Sequence, residues 1–343
     1  MKELSVGKTV EHTIQGKFKI LRHIYEGPFS DVFIVSALNL NHKEYAMKTE
    51  KQEGNSRPVL RLDVLVLMDL KGVVGFPKFI ASGQTNFTRY CIMQLIGPDL
   101  GKLRRTLKEK KFSASTSLRI LQQTLMRIET LHDAGWLSRD IKAPNFAIGV
   151  GQETSLIYML DFGFSRKYLT ANKVIVPARS SAALLGTFQY TSLASHEHKD
   201  QGRKDDLESW FYMAVELFKG PLPWSSINGH KDHQLIANWK KSIRNEKRNE
   251  FLRNIPAQFN QILNIIDEAS FYDRPNYNKI QNLLQEAAKE WKLSLEESFE
   301  WEGNNRMIKK AFYVKELGES HLASLLMAEE VDLDTTPVDI ETT

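Results

Sequence analysis

The sequence predicts an α+β chain in two lobes, a small β-rich one followed by a larger helical one. Three observations predict it. Short runs rich in β-branched and aromatic residues fill the first hundred positions, helical periodicity takes over from Ser115, and Gly97-Pro98 marks the joint between the two patterns. At 343 residues the chain also exceeds what one hydrophobic core usually supports.

Residue spacing justifies each element in turn. Phe18 to Tyr25, Val32 to Ala37, Glu44 to Lys48, Lys78 to Ala81 and Arg89 to Leu95 read as strands between turn residues. One helix interrupts them, from Pro58 to Leu70, with Leu60, Val64, Leu67 and Met68 on one face and Gly72 past its end. In the second lobe Leu118, Leu121, Leu125, Ile128 and Leu131 alternate at three and four residues, and Gly135 closes that helix. Asp205 to Lys219 forms the next, stopped by Gly220-Pro221, and further helices are expected over 231–244, 256–268 and 276–290. Residues 1–16 read as an N-terminal extension and 17–302 as one two-lobed domain divided between 96 and 97. The tail, 303–343, is expected to be helical from Asn304 to Met327 and then acidic and mobile, with no Lys or Arg from Glu329 onward.

Composition narrows the class. With 42% hydrophobic and 26% charged residues the chain is ordinary globular material. A net charge of +4 is too small to predict nucleic-acid binding without a clustered basic stripe. The single cysteine, Cys91, rules out an intramolecular disulfide and suits a reducing compartment, and no apolar run is long enough for a membrane span. The expectation is a cytoplasmic protein, with nuclear entry open, that engages neither nucleic acid nor membrane. Nothing in the sequence specifies an oligomeric state.

The chemistry lies in two segments, Ser138-Arg139-Asp140-Ile141-Lys142-Ala143-Pro144-Asn145 and Leu160-Asp161-Phe162-Gly163. Asp140, a short carboxylate on a rigid turn, is suited to take the proton of an incoming hydroxyl. Lys142 sets a cation against a transferring phosphate, while Asn145 and Asp161 offer the hard oxygen pair that Mg²⁺ prefers. Any one of these residues alone would read as a solvated loop charge; their joint spacing changes that. Tyr45-Ala46-Met47-Lys48 adds a strand-end lysine for the α and β phosphates. Gly186-Thr187-Phe188-Gln189-Tyr190-Thr191-Ser192 reads as the segment that receives substrate, with Thr187 bonding Asp140 and Lys142. Asp206 either caps its own helix or holds the catalytic-loop backbone, and Asp205 shares the choice.

These motifs closely resemble those of protein kinases, and Lys142 matches the Ser/Thr-specific pattern. Tyr190-Thr191-Ser192-Leu193-Ala194-Ser195-His196 stands where most kinases carry Ala-Pro-Glu, a departure typical of the casein kinase 1 group. Met93-Gln94-Leu95-Ile96-Gly97, Leu103-Arg104-Arg105, Asn145-Phe146-Ala147, Asp205-Asp206-Leu207 and Leu222-Pro223-Trp224 most resemble the tau-tubulin kinases, the likeness running from Lys17 to Trp301. The resemblance implies transfer of the γ-phosphate of ATP, with Mg²⁺, to Ser or Thr of protein substrates, cytoskeletal ones among them. It makes Met93 the gatekeeper, turns the backbone of Gln94 and Ile96 to adenine, places Ala147 beneath the base, and makes Val32 and Ala46 its roof.

The chain departs from the pattern at four places. In the phosphate-covering loop, Tyr25-Glu26-Gly27-Pro28-Phe29-Ser30-Asp31-Val32, only Gly27 of the usual glycines remains. Asp63 stands where kinases place Glu to pair with the strand lysine, shorter by about 1.5 Å, so the pair requires a closer helix, and Asp63→Glu is expected to keep or raise activity. Ser138 replaces a His that packs near Phe162, which is expected to leave a space. Of a basic site for already phosphorylated substrates only Arg179 matches, Leu185 and Asn228 replacing the others. A catalytically weak kinase-fold scaffold is therefore the competing reading.

Overall fold

The computed structural model describes residues 6–12, 16–27, 30–39, 41–51, 59–85 and 88–313. Six antiparallel strands build the first lobe: β1 (Thr9–His12), β2 (Gly16–Glu26), β3 (Ser30–Ala37), β4 (Glu44–Lys51), β5 (Phe79–Gln84) and β6 (Thr88–Gln94), in the order β1-β2-β3-β4-β6-β5. β1 falls in the stretch expected to be an extension, and it pairs Thr9 with Lys19 through His12 with Gly16. Pro28 and Phe29 of the covering loop, and the tail from 314 onward, lie outside the described residues.

Side-chain alternation along β4 sets up the cleft. Tyr45 and Met47 face a cluster with Phe18, Ile20, Phe33, Val35 and Ile92, so Ala46 and Lys48 point to the opposite face. Helix α1 (Val59–Asp69) packs against that side, burying Leu60, Asp63, Val64 and Leu67.

The second lobe is helical: α2 (Leu100–Thr106), α3 (Ala114–Asp133), α4 (Leu193–His196), α5 (Arg203–Lys219), α6 (Gly229–Ser242, kinked at Asp232), α7 (Arg248–Phe251), α8 (Gln258–Glu268), α9 (Tyr277–Glu290) and α10 (Asn305–Tyr313). Two short two-stranded antiparallel sheets sit between α3 and α4, formed by β7 (Trp136–Leu137) with β10 (Arg166–Lys167) and by β8 (Phe146–Ile148) with β9 (Ile157–Met159). Ser113 caps α3 through the Thr116 N–H (3.2 Å), and the apolar stripe of α3 packs on α5, where Trp210 donates its indole N–H to Thr124 Oγ1 (2.9 Å). Trp301, fully buried, stacks on Phe299 and donates to Thr154 O (2.9 Å), and the packing continues past the expected boundary at 302, with Met307 and Ala311 of α10 joining the same core. The helix expected at 304–327 is present as α10 over its described part.

Candidate active site

A cavity of about 1280 Å³ runs between the lobes, from Val32 and Ala46 past Lys48 and Asp161 to Thr187 and on to His230. On its upper wall the Lys48 ammonium lies 2.7 Å from Asp63 Oδ2 and 2.9 Å from Asp161 Oδ1. Burial alone would push its pKa down, but the two carboxylates outweigh burial and hold it above the ordinary lysine value. Asp63 therefore reaches its partner. Its other oxygen accepts the Phe162 N–H (2.8 Å), so a single short carboxylate ties α1 to both the strand lysine and the Asp161-Phe162 turn.

The second lobe supplies the rest on turns. Asp140 Oδ1 accepts the Thr187 N–H (3.0 Å) and Oγ1–H (2.9 Å), while Lys142 Nζ sits 3.0 Å from Asp140 Oδ2 and donates to Thr187 Oγ1 (2.8 Å). Asn145 Nδ2 donates to the Asp140 carbonyl (2.7 Å) and to its Oδ2 (3.1 Å). Asp140 is only 4% exposed and does not itself line the cavity; Lys142, Asn145 and Thr187 stand over it and do. Asp161 turns its side chain to the cavity from a left-handed backbone (φ 58°), and Arg139 adopts the same conformation (φ 63°). The substrate segment begins at Gly186 (φ 94°), where a Cβ would lie 2.7 Å from the Arg139 carbonyl, so glycine is required.

The choice between Asp205 and Asp206 resolves by geometry. Asp206 accepts the N–H groups of Ser138 (2.7 Å) and Arg139 (2.8 Å) and contacts His132 Nε2 (2.9 Å), which on its far side meets Tyr277 OH (2.6 Å). Asp205 makes the cap, accepting the Gly202 N–H at 2.7 Å. Phe162, beside which the serine at 138 was expected to leave a space, stacks on Phe76 (centroids 6.1 Å apart) and is 1% exposed.

Gly27, Val32, Ala46, Met93, Gln94 and Ile96, the residues expected to surround a base, all line the cavity. A Cβ at Gly27 would lie 2.6 Å from the Tyr25 hydroxyl, so a side chain there would require the Tyr25 ring to move. The Gln94 N–H donates to Lys78 O (2.9 Å) and so is committed within the sheet rather than to the cavity. Ala147, on β8, is fully buried and packs with Tyr158 and with Ile96, which itself lines the cavity. The one matching member of the basic site, Arg179, is engaged in structural bonds. Arg179 and Arg166 clamp Asp200 (2.9 and 2.6 Å), bringing its pKa to about 2 against the opposing effect of burial, while Leu185 is interior and Asn228 caps α6 through the His230 N–H.

Sequence reasoning did not single out Lys240. It is fully buried beneath the substrate segment, on a stripe with Ile236, Ala237 and Ile243, and a lysine at apolar helical spacing was the signal that marks it.

Comparison with known proteins agrees with this geometry. The protein kinase domain model matches residues 18–287. The chain is 58% identical over 320 residues to the serine/threonine-protein kinase spe-6 of Caenorhabditis elegans, covering 93% of this chain and 84% of that protein. It is also 34% identical over 300 residues to a probable serine/threonine-protein kinase of Dictyostelium discoideum, covering 87% of this chain and 59% of the other. A chain matched over both lobes, with its carboxylates and lysines gathered at the seam between them, belongs to the protein kinase family and is a serine/threonine kinase.

Proposed function

We propose that this kinase moves the γ-phosphate of Mg-ATP to Ser or Thr hydroxyls of proteins, in the manner of the casein kinase 1 group and its tau-tubulin kinase branch. One observation carries the reading: Lys48, Lys142, Asn145 and Asp161, far apart in sequence, line one cavity, with Asp140 directly beneath. Lys48 is positioned for the α and β phosphates. The oxygen donors of Asn145 and Asp161 fit a hard cation, and Mg²⁺ bound there would neutralise phosphate charge. Asp140 is the base that accepts the hydroxyl proton, and Lys142 and Thr187 fix its orientation. Catalysis is then positioning and electrostatics, as phosphoryl transfer requires.

The scaffold reading loses one of its motives, since Asp63 does pair with Lys48. A requirement for substrates that are already phosphorylated is not part of the proposal, because Arg179 is committed to Asp200. A cytoplasmic site of action, with nuclear entry, and cytoskeletal substrates belong to the same proposal. The test is phosphate incorporation from labelled Mg-ATP into casein or tubulin by wild type and Asp140→Asn. Equal signal from the two proteins would remove the catalytic reading. Absence of a melting shift with millimolar ATP and Mg²⁺ would favour the scaffold.

A further inference from the structure

The segment Gly186–Ser192 is held from two sides. Asp140 and Lys142 fix Thr187 from the cavity side. From beneath, Trp224 donates its indole N–H to Gln189 O (2.9 Å), Gln189 donates to Ser225 O (3.1 Å), and Tyr190 donates its hydroxyl to Glu216 Oε2 (2.7 Å). Lys240 of α6 supplies what remains. Its Nζ donates to Phe188 O (2.8 Å) and Thr191 O (2.6 Å), with His196 Nε2 at 3.2 Å.

An ammonium has three N–H donors, and here three polar partners surround it. The rings of Tyr212 and Trp224 complete the enclosure, with centroids 4.9 and 5.8 Å from Nζ. Taking a lysine out of water is costly, and an apolar side chain would fill the same stripe of α6 without that cost. What lysine adds is the pair of bonds to the substrate segment.

We propose that Lys240 is a positioning residue for the protein substrate. By tying Phe188 and Thr191 to α6, it sets Thr187 against Asp140 and shapes the groove where Phe188 and Gln189 adjoin Ser225, Ile227 and His230. The inference rests on the reading of Gly186–Ser192 as the substrate seat. It touches neither nucleotide nor substrate, so its effect must appear in how substrate is held.

The test uses the full chain and three variants. Lys240→Met keeps the volume and removes the donors. Lys240→Gln keeps two donors one bond short. Thr124→Val removes a buried hydrogen bond elsewhere in the same lobe and serves as a stability control. For Lys240→Met the KM for casein is expected to rise about ten-fold while the KM for ATP changes less than about two-fold, in line with the loss of two buried hydrogen bonds to one segment. Lys240→Gln falls between it and wild type, and Thr124→Val lowers the melting point with both KM values unchanged. Hydrogen exchange of the 186–192 amides is expected to quicken in Lys240→Met and not in Thr124→Val. The proposal is overturned if casein and ATP KM values move together, or if exchange of 186–192 is unaltered. A wild type inactive on casein and tubulin would sink the catalytic reading instead, and the exchange measurement would still decide the role of Lys240, including for a variant whose melting point falls.

Discussion

Lys48 in the first lobe and Lys240 in the second are both largely withdrawn from solvent, and the two are held in opposite ways. Lys48, at the nucleotide side of the cleft, lies between the carboxylates of Asp63 and Asp161. Lys240, under the substrate segment, rests on two carbonyls and an imidazole, with no carboxylate at ion-pair distance among the described residues. Burial pushes both ammonium groups toward the neutral form. At Lys48 the two charges reverse that push; at Lys240 burial prevails, more distant Glu208 opposing it and Arg244 adding to it, and the pKa falls well below the ordinary lysine value. The difference teaches what each region provides. In the cleft two carboxylates keep the nitrogen of Lys48 positively charged, whereas Lys240 is held mainly by the backbone carbonyls of the segment above it.

The largest effect tests the catalytic side of this contrast. Asp140→Asn preserves shape and most of the hydrogen bonds to Thr187 while removing the proton acceptor, so kcat is expected to fall about 10³-fold with the melting point nearly unchanged. A residual rate within about ten-fold of wild type would take Asp140 out of the proton step. Next, Lys48→Met leaves Asp63, 2% exposed, without its counter-ion, and is expected to cost about 3 kcal/mol by urea unfolding. Lys240→Met should cost less, because neutral carbonyls are cheaper to leave unpaired than a carboxylate. Equal losses would erase the distinction between the two sites. Asp63→Glu is smaller again. The structure reverses the expectation drawn from motif length: with both Asp63 oxygens already in place at 2.7 and 2.8 Å, a longer side chain must displace α1 or drop the Phe162 bond. Steady-state assays are expected to show kcat/KM for ATP reduced about ten-fold, roughly one lost charge-assisted bond.

Much of this was legible in residue order. Lys48, Asp140, Asn145 and Asp161 stand out because phosphoryl transfer demands particular side chains at fixed spacing on turns, and the β4 alternation already separates Lys48 from Met47. Other features depend on distances that no local pattern encodes. Whether Asp63 is long enough is decided by how closely Val59, Leu60, Val64 and Leu67 seat α1 on the sheet. The division of labour between Asp205 and Asp206 is decided by where Ser138 and Arg139 arrive from another part of the chain. Lys240 escaped notice for a general reason: a lysine is read as solvated unless the stripe it interrupts is examined.

The smallest expected effect sits beside Lys240. His196 has its pKa lowered to about 2, first by burial and then by the nearby Lys240 and His233. In the unfolded chain it titrates near about 6.5, so between those values the unfolded state binds the extra proton and the folded state does not. The resulting stability is complete above the unfolded pKa and erodes as the pH falls below it, by about 1 kcal/mol between pH 6 and pH 5. Urea unfolding across that interval should show the slope in wild type and a shallower one in His196→Gln, which keeps a polar group near Lys240 without a titrating ring. Parallel slopes would mean that the folded protein admits a second positive charge next to Lys240. In that case the surroundings of the substrate segment would be far more polar than two carbonyls, an imidazole and two aromatic rings can make them, and the contrast with the cleft would have to be drawn from geometry alone.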